Sequence, residues 1–143
     1  MKIFLATHGK MAGGMASSLD ILLGGCEALT TYDAYLPGED DLLDQSLETF
    51  FKNTPAEETK LLVSDIYGGS VNRRMVCAAG GKENTYVVSG ITLGLLMEFA
   101  SMTDENPTAE DIDEVIAEAR ENTVRVELEE SEEQEKAAED DFF

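Results

Sequence analysis

Lys2-Ile3-Phe4-Leu5-Ala6-Thr7-His8-Gly9-Lys10-Met11-Ala12-Gly13-Gly14 passes from an unbroken apolar run into a turn of small residues and then into a helical stretch. Ile3 to Ala6 does not alternate with polar residues, the pattern of a parallel strand covered on both faces. The order is therefore strand, tight turn, helix. In an open parallel sheet, ligands bind outside the carboxyl ends of the strands, and this reading sets His8 at that edge. His8 is also the only histidine of the chain. A lone histidine is ordinarily a structural residue, so its role has to be argued from what else reaches the same edge.

Downstream, the same unit repeats in form. Met15, Leu19, Leu22 and Leu23 fall at helical spacing before Gly24-Gly25, which suits a helix end. Ala28 to Leu36 carries Thr30, Thr31, Tyr32 and Tyr35 and stops at Pro37-Gly38, giving a second strand and its turn. Leu42, Leu43, Leu47, Phe50 and Phe51 mark the apolar face of a second helix, with Asp40 and Asp41 at its start. Lys60 to Ile66 copies the first strand, and Val71 to Ala79 is a helix closed by Gly80-Gly81. Thr85 to Ser89 is a fourth strand, Ile91 to Met102 a fourth helix, and Thr108 the expected N-cap of a helix bearing Ile112, Val115, Ile116 and Ala119. Val124, Val126 and Leu128 alternate with Arg125 and Glu127, so a half-exposed strand, at an edge or against another subunit, is expected to close the fold.

This alternation specifies an α/β fold with an open, doubly wound, mainly parallel sheet and right-handed crossovers. In the order 2-1-3-4, strands one and three are neighbours where the winding reverses. His8 and Asp65 then share one crevice.

The 143 residues are the size of one domain, read as 1–128, followed by an acidic tail over 129–143. Thirty acids against ten basic residues leave a formal charge of −20. Seven of those net charges lie beyond Leu128, where eight acids face only Lys136, so the body is acidic as well. That charge excludes nucleic acid and anionic membrane surfaces as partners. A tail so poor in apolar area is expected to be disordered, Phe142-Phe143 excepted in composition. No run approaches the roughly 20 apolar residues of a membrane span, and no secretory pattern opens the chain, which points to the cytoplasm. Cys26 and Cys77 lack metal or redox spacing and read as free thiols.

The constellation at the sheet edge has a definite chemistry. Neutral imidazole is a good nucleophile near pH 7, and its two nitrogens can be given different tasks. One attacks while the other is held. The Asp65 carboxylate is suited to accept the ring N–H, fix the tautomer and stabilise the cation formed on attack. Gly68-Gly69-Ser70, leading into a helix, offers backbone N–H groups and a hydroxyl to an anion of phosphate size. Neither G-x-x-x-x-G-K-[ST] nor G-x-G-x-x-G follows a strand, so no nucleotide cofactor is indicated. The G-x-S-x-G elbow of a serine hydrolase is missing, and metal ligands at usable spacing are missing too. No cofactor and no metal is called for. Arg73 and Arg74 have two readings, a solvated helix face or contacts to a phosphoryl group or acidic partner.

Thr7-His8-Gly9 after the first strand, Pro37-Gly38-Glu39 after the second and Asp65-Ile66-Tyr67-Gly68-Gly69-Ser70 after the third resemble the IIA component of the mannose-type (mannose/fructose/sorbose) phosphoenolpyruvate-dependent sugar phosphotransferase system. The resemblance spans about Met1 to Leu128. It implies the open α/β fold, and a phosphotransferase whose His8 accepts a phosphoryl group from the phosphocarrier HPr and passes it to a histidine of the IIB component. On the matching positions it implies His8 as the phosphorylation site, Asp65 as its orienting partner and Gly68, Gly69 and Ser70 as phosphoryl contacts. It also implies a homodimer that exchanges the strand Val124 to Leu128, and peripheral association with a membrane sugar-transport complex through IIB. Two segments depart from the family pattern: Val71-Asn72-Arg73 stands where Pro-Phe-Asn is common, and Gly90-Ile91-Thr92-Leu93-Gly94 where Gly-Val-Asn-Leu-Pro is expected. Both fall on the partner surface and leave His8 and Asp65 intact. Two alternatives share this site chemistry: a regulatory binding domain whose partner reads the state of His8, and a IIA-like phosphoryl donor subunit for dihydroxyacetone kinase.

Overall fold

A computed structural model describes residues 1–128 of the chain. Four parallel strands, β1 (Lys2–His8), β2 (Leu29–Ala34), β3 (Lys60–Ser64) and β4 (Thr85–Ser89), form a sheet in the order β2-β1-β3-β4. Five helices connect or follow them: α1 (Met11–Leu23), α2 (Leu43–Asn53), α3 (Ser70–Ala79), α4 (Leu93–Ala100) and α5 (Ala109–Arg120). The expected α/β architecture and strand order are both present.

The unbroken apolar character of β1 has the anticipated cause. Successive side chains of a strand point to opposite faces. Ile3 and Leu5 enter one core with Leu19, Leu61, Val63, Leu96, Phe99 and Ile112. Phe4 and Ala6 enter the other with Leu43, Leu47, Leu62, Val71 and Met75. Each such fully buried aliphatic or aromatic side chain is worth about 1.5–3 kcal/mol. With both faces covered, only the strand ends are left to meet solvent, and the change from buried Thr7 to exposed His8 marks that boundary.

Register carries the two strand ends to the site. Ala6 pairs with Ser64 on β3, while His8 pairs with Ala34 on β2. β1 thus runs past the end of β3, and Asp65, the residue after β3, stands one position short of His8 and reaches it with its side chain.

Element ends differ from the sequence reading in ways their hydrogen bonds explain. α4 begins at Leu93, later than Ile91, because the Thr92 side chain accepts from the Leu95 N–H and caps it. α2 begins at Leu43 because Asp41 stays outside, where its carboxylate accepts from the Leu43 N–H. Thr108 caps α5 as expected, in a reciprocal capping box with Asp111. Leu23 is half exposed instead of lying on the buried face of α1.

One expectation is not met within the single chain. Val124 to Leu128 forms no strand, and Val124, Val126 and Leu128 are 68%, 72% and 94% exposed. An alternating segment becomes a strand only where an edge accepts its hydrogen bonds, and nothing among the described residues pairs with it. The tail expected at 129–143 lies outside the described residues. Among the described residues no helix is long and apolar enough to cross a membrane.

Candidate functional site

The site lies between the carboxyl ends of β1 and β3, where the windings diverge. The Asp65 carboxylate accepts from the His8 backbone N–H at 2.9 Å, and its two oxygens stand 2.9 and 3.2 Å from His8 Nδ1. An ionised carboxylate can only accept, so Nδ1 carries the hydrogen and Nε2 keeps its lone pair. The His8 side chain is 40% exposed while that of Asp65 is only 10% exposed. The carboxylate is shielded behind the ring it holds. Partial burial pushes the Asp65 carboxyl upward, but the His8 N–H and the His8 ring outweigh it and hold the group below the ordinary carboxylate range.

The turn between β3 and α3 is built by its glycines. Gly68 has φ +73°, and a Cβ at Gly69 would meet the Ile66 carbonyl oxygen at 3.1 Å. The N–H groups of both already have partners: Gly68 donates to Asn72 Oδ1 and Gly69 to the Ile66 carbonyl. These glycines shape the turn, while the N–H groups of Ser70 and Val71, in the first turn of α3, have no partner among the described residues. Ser70 Oγ stands 3.5 Å from His8 Nε2. Sequence reading did not single out Asn72 for this role; a polar residue on the buried face of α3 is the signal that it left.

The start of α1 is occupied otherwise. Thr7 Oγ1 accepts from the Ala12 N–H at 2.7 Å and Asp33 from the Gly13 N–H at 2.9 Å. A Cβ at Gly13 would come within 3.0 Å of Asp33, so the glycine admits the carboxylate.

Sequence reading took Tyr35 only as a strand former and left Arg74 undecided. The structure brings both to the site. Arg74 pairs with Asp41 at 2.8 and 3.0 Å and with Asp44 at 3.0 Å, and it donates to the Tyr35 hydroxyl at 3.3 Å. Its hydrogen bonds to Asp41, Asp44 and Tyr35 raise the guanidinium pKa, and Asp41 is lowered in return, first by the Arg74 bond. Tyr35 in turn donates to Ser70 Oγ at 3.0 Å, and its ring lies 5.4 Å from that of His8. Arg73 joins Arg74 in lining a groove of about 940 Å³ between α2 and α3, with Asp44, Lys52, Phe51 and Lys82. Exposed Ile66 and Tyr67 flank the site on the β3 side. Among the described residues no three histidine, cysteine or acidic side chains gather in a way that could hold a metal ion.

An exposed histidine with a half-buried carboxylate behind it, at the switch point of a parallel sheet, is the centre of this site. The chain belongs to the family described as the PTS system fructose IIA component, whose model matches residues 2–116. The resemblance read from the three motifs is thereby borne out. Among solved structures, a Klebsiella pneumoniae protein assigned as a phosphoenolpyruvate-dependent sugar phosphotransferase system permease is 28% identical, with TM-score 0.76 over 87% of this chain and 89% of its own. The mannose/sorbose-specific IIA subunit of Enterococcus faecalis shares the fold at 23% identity and TM-score 0.77, covering 91% of this chain and 97% of its own. The phosphotransferase system component EIIA of Streptococcus agalactiae does so at 23% identity and TM-score 0.72, covering 87% and 95%. A search of curated protein sequences finds no match.

Proposed function

We propose that the protein is a cytoplasmic phosphocarrier whose His8 takes a phosphoryl group from HPr and passes it to a IIB component of a sugar-transport complex. The observation that carries this reading is the His8–Asp65 pair. Asp65 holds the hydrogen on Nδ1 and leaves the lone pair on Nε2, beside Ser70 Oγ, on a ring exposed enough for a partner protein to reach. Nε2 attacks the phosphorus of the donor phosphohistidine. The donor P–N bond breaks with its electron pair returning to the donor ring, and the positive charge gained by His8 faces the Asp65 carboxylate. Onward transfer is the same exchange in reverse, so positioning and charge stabilisation carry the catalysis rather than net driving force. Ser70, through its hydroxyl and N–H, and the N–H of Val71 are the groups nearest a phosphoryl on Nε2. Gly68 and Gly69 contribute by shaping the turn that presents them.

The partner surface surrounds this point. The groove carries Lys52, Arg73, Arg74 and Lys82 against Asp44 and Glu48, an excess of cations on a strongly acidic protein, and Ile66 and Tyr67 add exposed apolar area on the other side. Such a surface suits transient docking of a phosphorylated protein. We also infer a homodimer in which Val124 to Leu128 of one chain adds to the free edge of β4 in the other. The support is a groove of about 640 Å³ along Tyr86 to Ser89, walled by Val76, Ile112 and Ile116, beside an edge with no partner among the described residues.

The test is incubation with phosphoenolpyruvate, enzyme I and HPr, followed by intact mass measurement under conditions that preserve phosphoramidates. One added phosphoryl on the wild type and none on His8→Ala is expected. A wild type that gains no mass while HPr is phosphorylated would reject the carrier reading.

A further inference from the structure

Tyr35 departs from ordinary backbone geometry. It has φ +61°, in the left-handed region that non-glycine residues rarely occupy, one residue past the end of β2. That backbone conformation costs a large residue strain, which the bonds of the Tyr35 hydroxyl help to offset. That side chain is the middle member of an ordered series of hydrogen bonds ending at His8.

The direction of the series is fixed at both ends. A guanidinium only donates, so the bond from Arg74 requires the Tyr35 oxygen to accept. The hydroxyl hydrogen of Tyr35 is then directed to Ser70 Oγ, 3.0 Å away. Ser70, accepting there, is left with its own hydrogen to donate toward Nε2 at 3.5 Å. On the far side of the ring, Asp65 already makes Nδ1 the protonated nitrogen, so Nε2 is an acceptor. Asp41 and Asp44 anchor the opposite end by clamping three of the guanidinium's N–H directions.

We propose that Tyr35 and Arg74 are positioning residues that orient the Ser70 hydroxyl as a hydrogen-bond donor toward Nε2 and toward a phosphoryl group carried there. The proposal rests on the phosphocarrier reading of His8 and adds to it two side chains that never touch the reacting atoms. The hydroxyl of Ser70 would otherwise rotate freely at the protein surface. Arg74 is committed to this task and so is not itself a phosphoryl ligand.

The experiment is a double-mutant cycle on phosphoryl transfer from phosphorylated HPr, with the His8 ring followed by nitrogen NMR in the same proteins. Tyr35→Phe removes one oxygen and leaves the backbone and ring in place. It should lower the saturated transfer rate by about three- to tenfold, the worth of one hydrogen bond, with the KM for the donor unchanged. Combined with Ser70→Ala it should cost no more than Ser70→Ala alone, because both substitutions delete the same donor. Arg74→Met should likewise fail to add to Tyr35→Phe, and the Nε2 resonance should move in the same sense in Tyr35→Phe and Ser70→Ala. A Tyr35→Phe protein that transfers at the wild-type rate, or losses that multiply in the double variant, would overturn the relay. If wild type takes up no phosphoryl group the carrier reading falls. The relay is then decided by the Nε2 resonance, which must respond alike to Tyr35→Phe and Ser70→Ala for it to stand.

Discussion

At the scale of single residues, Asp65 has two measurable roles. It holds the His8 ring through a charge-assisted hydrogen bond, worth about 1.5–3 kcal/mol. Asp65→Asn keeps the shape and loses the charge, so transfer should slow by roughly 10- to 150-fold if that bond is fully expressed in the transition state. Rapid-quench kinetics would measure it, and an unchanged rate would remove Asp65 from the mechanism. The carboxyl also links folding to pH. Its pKa is lowered in the folded protein from 3.8, so the folded state binds the proton less tightly than the unfolded chain does. The resulting stabilisation is complete above the unfolded value and is lost as pH falls through the lower folded value. Denaturant titrations at pH 6 and pH 3 should therefore show the gap between wild type and Asp65→Asn narrowing at the acidic pH.

At the scale of elements, the loop entering β3 is organised by a cation. Lys60 is 3% exposed, and its Nζ donates to the carbonyls of Pro55, Ala56 and Glu58 at 3.3, 3.2 and 2.7 Å. This fastens the α2–β3 connection at the end of the sheet remote from His8. Lys60→Met fills similar volume but removes the ammonium from all three carbonyls and leaves that of Glu58 without a donor, since Pro55 also accepts from the Glu58 N–H and Ala56 from Asn84. It should cost about 1–3 kcal/mol in urea unfolding while leaving His8 phosphorylation intact. Loss of phosphorylation in a folded variant would contradict this separation of scaffold from site. The same element scale explains why the site was only partly legible. His8 and Asp65 followed from two strand ends and the strand order, because register in a parallel sheet makes those ends neighbours. Tyr35 and Arg74 did not follow, because their meeting depends on how the β2–α2 loop folds back over α3, which no local pattern encodes.

At the scale of the whole molecule, the free edge of β4 and the exposed alternation Val124, Val126, Leu128 belong together in the dimer inferred above. Sedimentation of the full chain should give a dimer, and a chain ending at Thr123 should give a monomer that still takes one phosphoryl group. A full-length monomer at micromolar concentration would remove the strand exchange. The alternation reads as a half-exposed strand at an edge or against another subunit, and within the described residues Val124 to Leu128 forms no strand. Alternation establishes only that a segment would suit a half-buried strand, not that an edge is within its reach.

By itself the sequence determined the strand and helix alternation, the two-faced burial of β1 and β3, the cap at Thr108 and the convergence of His8 with Asp65 at one sheet edge. These depend on periodicity, capping chemistry and chain handedness, which act over a few residues or through a general rule of winding. Only the tertiary structure decided that Gly68 and Gly69 spend their N–H groups within the turn, that Arg74 is clamped by Asp41 and Asp44, and that Tyr35 links it to Ser70. The Arg74 and Tyr35 contacts join residues about 30 to 40 positions apart through side-chain hydrogen bonds whose geometry exists only once the helices have packed.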